Sequence, residues 1–294
     1  MKVAGLGEFG LLEKIKPYLT AAEPIEVPAG SDDAAVIAEG GGFTVASSDM
    51  FVERIHFDLS WMSAADAGWR SLALSLGDLA AKGATPSWAL TSIAIPNTWM
   101  VEDLIGLYEG LAALAQKTGT LIAGGDMSLI DGPAVLSITV VGRTDKRPIA
   151  RSEVKHGWAV AVTGPLGASA LALRERRPLR LWPRLDEGRR LNAAGLCCGD
   201  VSDGLVREME KFAAFSSVGC IVNSAAVPIA EGATWMDALT SGEEAELVCV
   251  GPEDLLRAAG LQPLGVLTED PTVRVVDGEG KPVHLELTGY DHFA

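Results

Sequence analysis

Apolar and polar positions change period repeatedly along the chain. Short runs dominated by β-branched and other apolar residues, at 43–46, 89–95, 120–123 and 135–141, predict strands. Between them, 64–82 and 101–117 carry helical spacing. Trp69, Leu72, Leu76 and Leu79 share one face of the first, and the second stops at Gly119. A charged stretch, 143–155, precedes another apolar strand at 159–163. An Arg-rich segment (174–190), a helix at 205–215 and shorter strands and turns to Phe293 follow. This alternation predicts a mixed α+β or α/β architecture, with the charged stretch as the linker between two domains. No short-period repeat occurs, so solenoids and propellers are disfavoured.

Composition narrows the class. At 294 residues the chain has room for two cores that need no disulfide or metal staple. Its net charge of −15 would repel a phosphate backbone, which argues against nucleic acid as a partner and requires metal cations if a polyanionic small molecule binds. The uncharged stretch 212–230, matched in length by no more than one other, contains Ser216, Ser217, Asn223 and Pro228, so no membrane span is expected. Glu8 and Glu13 stand where a signal peptide would be apolar, pointing to a cytoplasmic protein. Cys197, Cys198, Cys220 and Cys249 form neither a metal pattern nor a disulfide framework and read as buried thiols.

The chemistry lies in the aspartates. Gly5, Gly7 and Gly10 spell G-x-G-x-x-G, but no strand of adequate length precedes them, so a Rossmann turn is rejected; no P-loop or protein-kinase motif set occurs either. Instead Asp recurs at strand ends or beside glycine: Asp32 and Asp33, Asp49, Asp126, Asp200 and Asp203. Each alone has a plain explanation as a helix cap or turn residue. Converging, they would make a hard-oxygen site for Mg²⁺. Asp78 reads equally as the partner of Lys82 in an exposed i,i+4 ion pair, His56 as a structural histidine, and Arg151 as a linker charge.

The ordered motifs GEFGLL (7–12), SDDAAV (31–36), SSDMFVERIHF (47–57), GDLAAKGATP (77–86), GGDMS (124–128), VTGPLG (162–167), GDVSDGL (199–205), SGEEAEL (241–247) and GYDHF (289–293) span nearly the whole chain. Together they resemble the thiamine-monophosphate kinase family, within the superfamily of aminoimidazole ribonucleotide synthetase. The resemblance implies an N-terminal domain over 1–145 that pairs in a homodimer, a C-terminal α/β domain over 146–294, and ATP bound between them. It also implies roles. Asp32, Ser47, Ser48, Asp49, Asp78, Asp126, Asp200 and Asp203 match Mg²⁺ ligands. Tyr108, Gly125, Asp126, Arg151 and Ser202 match ATP contacts. His56, Glu243 and Tyr290 match positions that hold thiamine monophosphate.

Phosphoryl transfer to an acceptor phosphate suits this residue set. Such an acceptor is already ionised near neutral pH, so no general base is needed, and several Mg²⁺ ions would align and neutralise two polyanions. Four departures fall around the acceptor. Arg54 stands where the family usually has Gly, Ala245 replaces an aromatic, Tyr290 stands for Trp or Phe, and the segment between Gly167 and Gly199 is short. The alternatives are another ATP-dependent superfamily enzyme with a different acceptor, or a non-catalytic ATP- and Mg²⁺-binding regulator.

Overall fold

The structure, a computed structural model, describes residues 7–19, 22–27 and 32–292. Its first sheet is built from β1 (Ile25–Val27), β2 (Ala35–Glu39), β3 (Gly42–Val52), β4 (Thr85–Ile95), β5 (Leu121–Leu129) and β6 (Val135–Thr144), in the order β1-β2-β3-β6-β4-β5. All neighbours are antiparallel except β4 and β5, which are joined by a helical crossover. Helix α1 (Gly7–Ile15) begins the described chain, α2 (Ala64–Ala81) follows β3, and α3 (Val101–Thr118) makes the crossover. Ser63 caps α2 by accepting from Asp66 N at 3.1 Å, and Gly119, at φ 73°, ends α3 in the left-handed region. The two helices cross closely because Gly68 and Gly110 face backbone, where a Cβ would sit 2.0 Å from Leu107 O and 1.9 Å from Ala65 O.

The second sheet takes β7 (Ala159–Val162), β8 (Cys197–Asp200), β9 (Gly219–Asn223), β10 (Leu247–Gly251), β11 (Gly265–Thr268), β12 (Val273–Val276) and β13 (Pro282–Val283), in the order β13-β12-β9-β11-β7-β10-β8. Around it run α4 (Ala168–Arg174), α5 (Leu185–Ala193), α6 (Leu205–Ser216), α7 (Trp235–Thr240) and α8 (Glu253–Ala258). The mixed α/β architecture is as expected from sequence, and the structure resolves it into two sheets.

Strand alternation in the second sheet sorts two cores. Ala159, Ala161, Cys198, Leu247 and Cys249 face α2 and join the core of the first sheet, whereas Val160, Val162, Cys197, Val248 and Val250 face α6 with Leu205, Met209 and Phe212. Burial on both faces is why these strands read as unbroken apolar runs. Helix α2 therefore lies between the halves, touching α3 and the first sheet on one side and α5 and β8 on the other. Nearly every residue of α2 from Ala67 onward is buried, including Asp78 on the side that the amphipathic pattern assigned to solvent.

Candidate active site

Asp33 precedes β2, Asp78 lies in the last turn of α2, and Asp200 ends β8; one carboxylate oxygen from each lies within 4.8 Å of the other two. Asp200 faces α2 because it alternates with Cys198 on the same side of β8. On β3 the same period separates Ser47 and Asp49, which share a face with buried Phe51, from Ser48, whose hydroxyl pairs with Thr139 Oγ1 at 2.9 Å on the other. Ser47 Oγ donates to Asp78 Oδ2 at 2.5 Å. These residues line a cavity of about 910 Å³ between the two sheets.

Electrostatics single out this cluster. Burial, and then the charges of Asp49, Asp200 and Asp33, push the Asp78 carboxyl well above the usual range; burial, then Asp33 and Glu208, does the same to Asp200. Asp33 and Asp49 are raised as well, in both cases first by burial. Crowded buried carboxylates of this kind are hard oxygen donors whose repulsion a divalent cation would relieve, so the donor set fits Mg²⁺.

Cations flank the cluster on its protein side. Lys82, fully buried, pairs with Asp32 and lies 3.4 Å from Asp33, while donating to Cys198 O at 2.8 Å. The Asp78–Lys82 ion pair considered from spacing is thus not made; Lys82 turns to the Asp32–Asp33 pair. Asp32 is further occupied by the backbone N–H groups of Asp33 (2.9 Å) and Arg151 (3.0 Å). Of the two consecutive aspartates, it is Asp33 that joins the carboxylate cluster. Arg151 is no linker charge. It is buried, pairs with Asp33, reaches Glu208 at 2.8 Å and stands 5.0 Å over the Phe212 ring. Lys211 contacts Asp203 at 2.6 Å and Glu208 at 2.7 Å, and Ser202 Oγ donates to Glu208 at 3.2 Å. Against its burial, Lys211 and Arg151 hold Glu208 below the ordinary range.

The far end of the cavity gathers His56, Glu243 and Tyr290. His56 Nδ1 accepts from Val52 N at 2.9 Å, which leaves Nε2 to carry the proton of the neutral ring; burial lowers its pKa and favours that neutral form. His292, which sequence reasoning had not singled out, lies 5.2 Å from His56 and meets Tyr290 edge-on at 4.7 Å, ring centre to ring centre. The C-terminal segment is held by Tyr290 N donating to Asp203 O at 3.0 Å and by the Arg207–Asp291 pair at 2.9 Å. Arg54 lines the same end at φ 69°, in a left-handed region that glycine, the residue usual there in the resembled family, could adopt without strain. Ala245 packs against the first core.

Tyr108, Gly125 and Asp126 lie elsewhere. Tyr108 belongs to an exposed groove on α3 with Leu104, Ile105 and Met127, and Asp126 is exposed on β5, the edge strand of the first sheet. Gly125 has a packing reason of its own, since a Cβ there would fall 1.7 Å from Thr91 O on β4.

Residues 31–144 match the family model described as AIR synthase related protein, N-terminal domain. With the two-sheet architecture, this match defines a protein of the AIR synthase-related class. Its kin are more specific. The thiamine-monophosphate kinase of Rhodopirellula baltica is 36% identical over 76% of this chain and 76% of its own length, and that of Bacillus subtilis is 29% identical over 98% of this chain and 100% of its own. The chain belongs to the thiamine-monophosphate kinase family and is an enzyme of that kind. Among solved structures, AaThiL complexed with AMPPCP and TMP superposes with a TM-score of 0.85 at 26% identity, covering 100% of this chain and 99% of that one. The thiamine monophosphate kinase of Aquifex aeolicus gives 0.80 at 26% identity, over 97% of this chain and 100% of that one. A HypE–HypF complex, 17% identical with a TM-score of 0.76, shares the fold alone.

Proposed function

We propose that this kinase transfers the γ-phosphoryl group of ATP directly to the phosphate of thiamine monophosphate, giving thiamine diphosphate and ADP. The observation that carries this reading is the Asp33–Asp78–Asp200 cluster, within 4.8 Å, in a cavity whose other end is walled by His56, Glu243 and Tyr290. The complex of AaThiL with AMPPCP and TMP supports it.

An acceptor phosphate oxygen bonds to the γ-phosphorus as the bond to the β–γ bridging oxygen breaks, and no proton need move. Bound Mg²⁺ would supply charge neutralisation for the two polyanions. Asp33, Asp78 and Asp200, with Asp49 and Ser47 beside them, would hold it. Arg151 and Lys211 fix the acidic frame through Asp33, Glu208 and Asp203. The neutral His56 ring offers its Nε2–H to the acceptor, and Tyr290 presents an electron-rich face to the thiazolium cation.

The same reading divides the chain at 145/146, one sheet on each side, and places the enzyme in the cytoplasm. It also pairs two copies through the first sheet. Leu121, Met127 and Leu129 are exposed along edge strand β5, a surface that a second copy would cover, and that pairing would bring Tyr108, Gly125 and Asp126 to a neighbouring site.

The decisive experiment incubates the purified protein with ATP, Mg²⁺ and thiamine monophosphate and follows the phosphorus spectrum. Thiamine diphosphate should appear with ADP in equal amounts. ADP formed without thiamine diphosphate would sink the acceptor assignment.

A further inference from the structure

Arg70, Leu74 and Asp78 lie at i, i+4 and i+8 of α2, and all three line the cavity. One helix thus spans from the acidic cluster to the acceptor end, an axial distance of about 12 Å at 1.5 Å per residue. At that end Arg70, a charged side chain only 9% exposed, meets Glu243 across the halves, with Nη2 2.6 Å from Oε2. A buried arginine is costly unless paired, so the contact answers a need of the fold. It does not, however, use the carboxylate fully.

Arginine and carboxylate commonly pair fork to fork, satisfying both oxygens. Among the described residues only Oε2 is engaged, and Glu243 Oε1 is buried with no hydrogen-bond partner there. The backbone is also held in an unusual place. Glu243 sits at φ 56°, a left-handed conformation that is strained for a non-glycine residue, fixed by its N–H donating to Ser202 O at 2.7 Å and by Ser169 Oγ donating to its carbonyl at 2.7 Å. Strain at a residue with an unused buried acceptor marks a group prepared for a ligand.

We infer that Arg70 is a positioning residue for the acceptor: it anchors Oε2 so that Oε1 is presented as a directed hydrogen-bond acceptor for an N–H group of the substrate. The pairing also cancels the glutamate's charge. A lone anion at this wall would repel a phosphate-bearing substrate, whereas the neutral pair selects by hydrogen-bond direction. The inference rests on the phosphoryl-transfer reading above, with the donor supplied by the acceptor's heterocycle.

The test is a steady-state series on the full-length protein with ATP, Mg²⁺ and thiamine monophosphate. Wild-type turnover is measured first; its absence would overturn the functional reading and this inference together. With wild type active, Arg70→Gln should raise KM for thiamine monophosphate by about tenfold, the equivalent of one directed contact, while KM for ATP stays within about twofold. Arg70→Lys, which keeps the charge in the same buried place, should recover part of the loss and guards against misfolding of the glutamine variant. In a Glu243→Gln background Arg70→Gln should add nothing further, because both act on one contact. Unchanged acceptor KM in Arg70→Gln, equal rises in both KM values, or full additivity with Glu243→Gln would each overturn the role of Arg70 and leave the kinase reading standing.

Discussion

Ser47 Oγ donates to Asp78 Oδ2 at 2.5 Å and so ties β3 to the last turn of α2 at the floor of the acidic cluster. The same hydroxyl lies 3.2 Å from the carbonyl of Asp33, which puts one serine between two of the three clustered residues. The first sheet and α2 are thereby locked at the point where Asp200 arrives from the second sheet.

Removing a cluster carboxylate should stop the reaction while leaving the chain folded. We expect Asp33→Asn, Asp78→Asn and Asp200→Asn each to lower kcat by about 10²–10³, the usual cost of one lost electrostatic contact to developing phosphoryl charge. Circular dichroism should stay unchanged. Full activity of Asp78→Asn would place that residue outside the machinery.

The metal-free protein should become less stable as pH rises. Asp78 and Asp200 are raised well above the ordinary value of 3.8, first by burial, so the folded state binds more protons than the unfolded chain over the interval between the two values. Stability is then greatest at its acid end and falls as the carboxylates ionise. His56 has the opposite sign: lowered by burial, it loses stability as pH drops below 6.5. Melting curves in chelator and in Mg²⁺ separate the two, because Mg²⁺ should flatten only the carboxylate part. A chelated protein whose Tm does not fall as pH rises above the ordinary carboxylate value of 3.8 would contradict this account.

Lys82→Met should destabilise the protein by about 3–5 kcal/mol, because it leaves the buried Asp32 and Asp33 with Arg151 as the one remaining cation beside both among the described residues. Urea unfolding measures the difference. A loss below about 1 kcal/mol would mean that the pair finds water or another partner when Lys82 is gone.

Tyr290→Ala should weaken the acceptor selectively. A cation–π contact with the thiazolium is worth roughly 0.5–2 kcal/mol, so KM for thiamine monophosphate should rise by about two- to thirtyfold with KM for ATP nearly unchanged. A fall in Tm with both constants unaltered would show that the ring only packs the C-terminal segment against His292.

Asp126→Asn probes the paired-copy part of the reading. On an exposed edge strand the substitution should leave the unfolding free energy within about 0.5 kcal/mol of wild type, yet it should abolish turnover if a second copy carries Asp126 to a neighbouring site. Mixing inactive Asp126→Asn with inactive Asp78→Asn and finding restored activity would establish that sites are shared between copies; no restoration would argue that each copy works alone.

Much of this molecule was written in its residue pattern. Helical spacing at 64–82 and 101–117 predicted α2 and α3 to within a residue, since caps at Ser63 and Gly119 are local chemistry. Strands β3 and β5 were found but cut short, running to Val52 and Leu129, because the polar Ser47, Ser48, Asp49 and Asp126 that broke the apolar pattern sit inside them, and β1 and β2 were missed. The motif likeness named the family, and the comparisons bear it out. What pattern alone could not decide was direction. Whether Asp78 faces water or the interior depends on β8 and α5 packing over the outer side of α2, and the partner of Lys82 depends on where the Asp32–Asp33 turn lands. The pairing of Arg70 with Glu243 joins residues 173 positions apart. Periodicity reports which residues share a face of their own element; which element covers that face is set by long-range packing, and burial, charge and hydrogen bonding at the site follow from it.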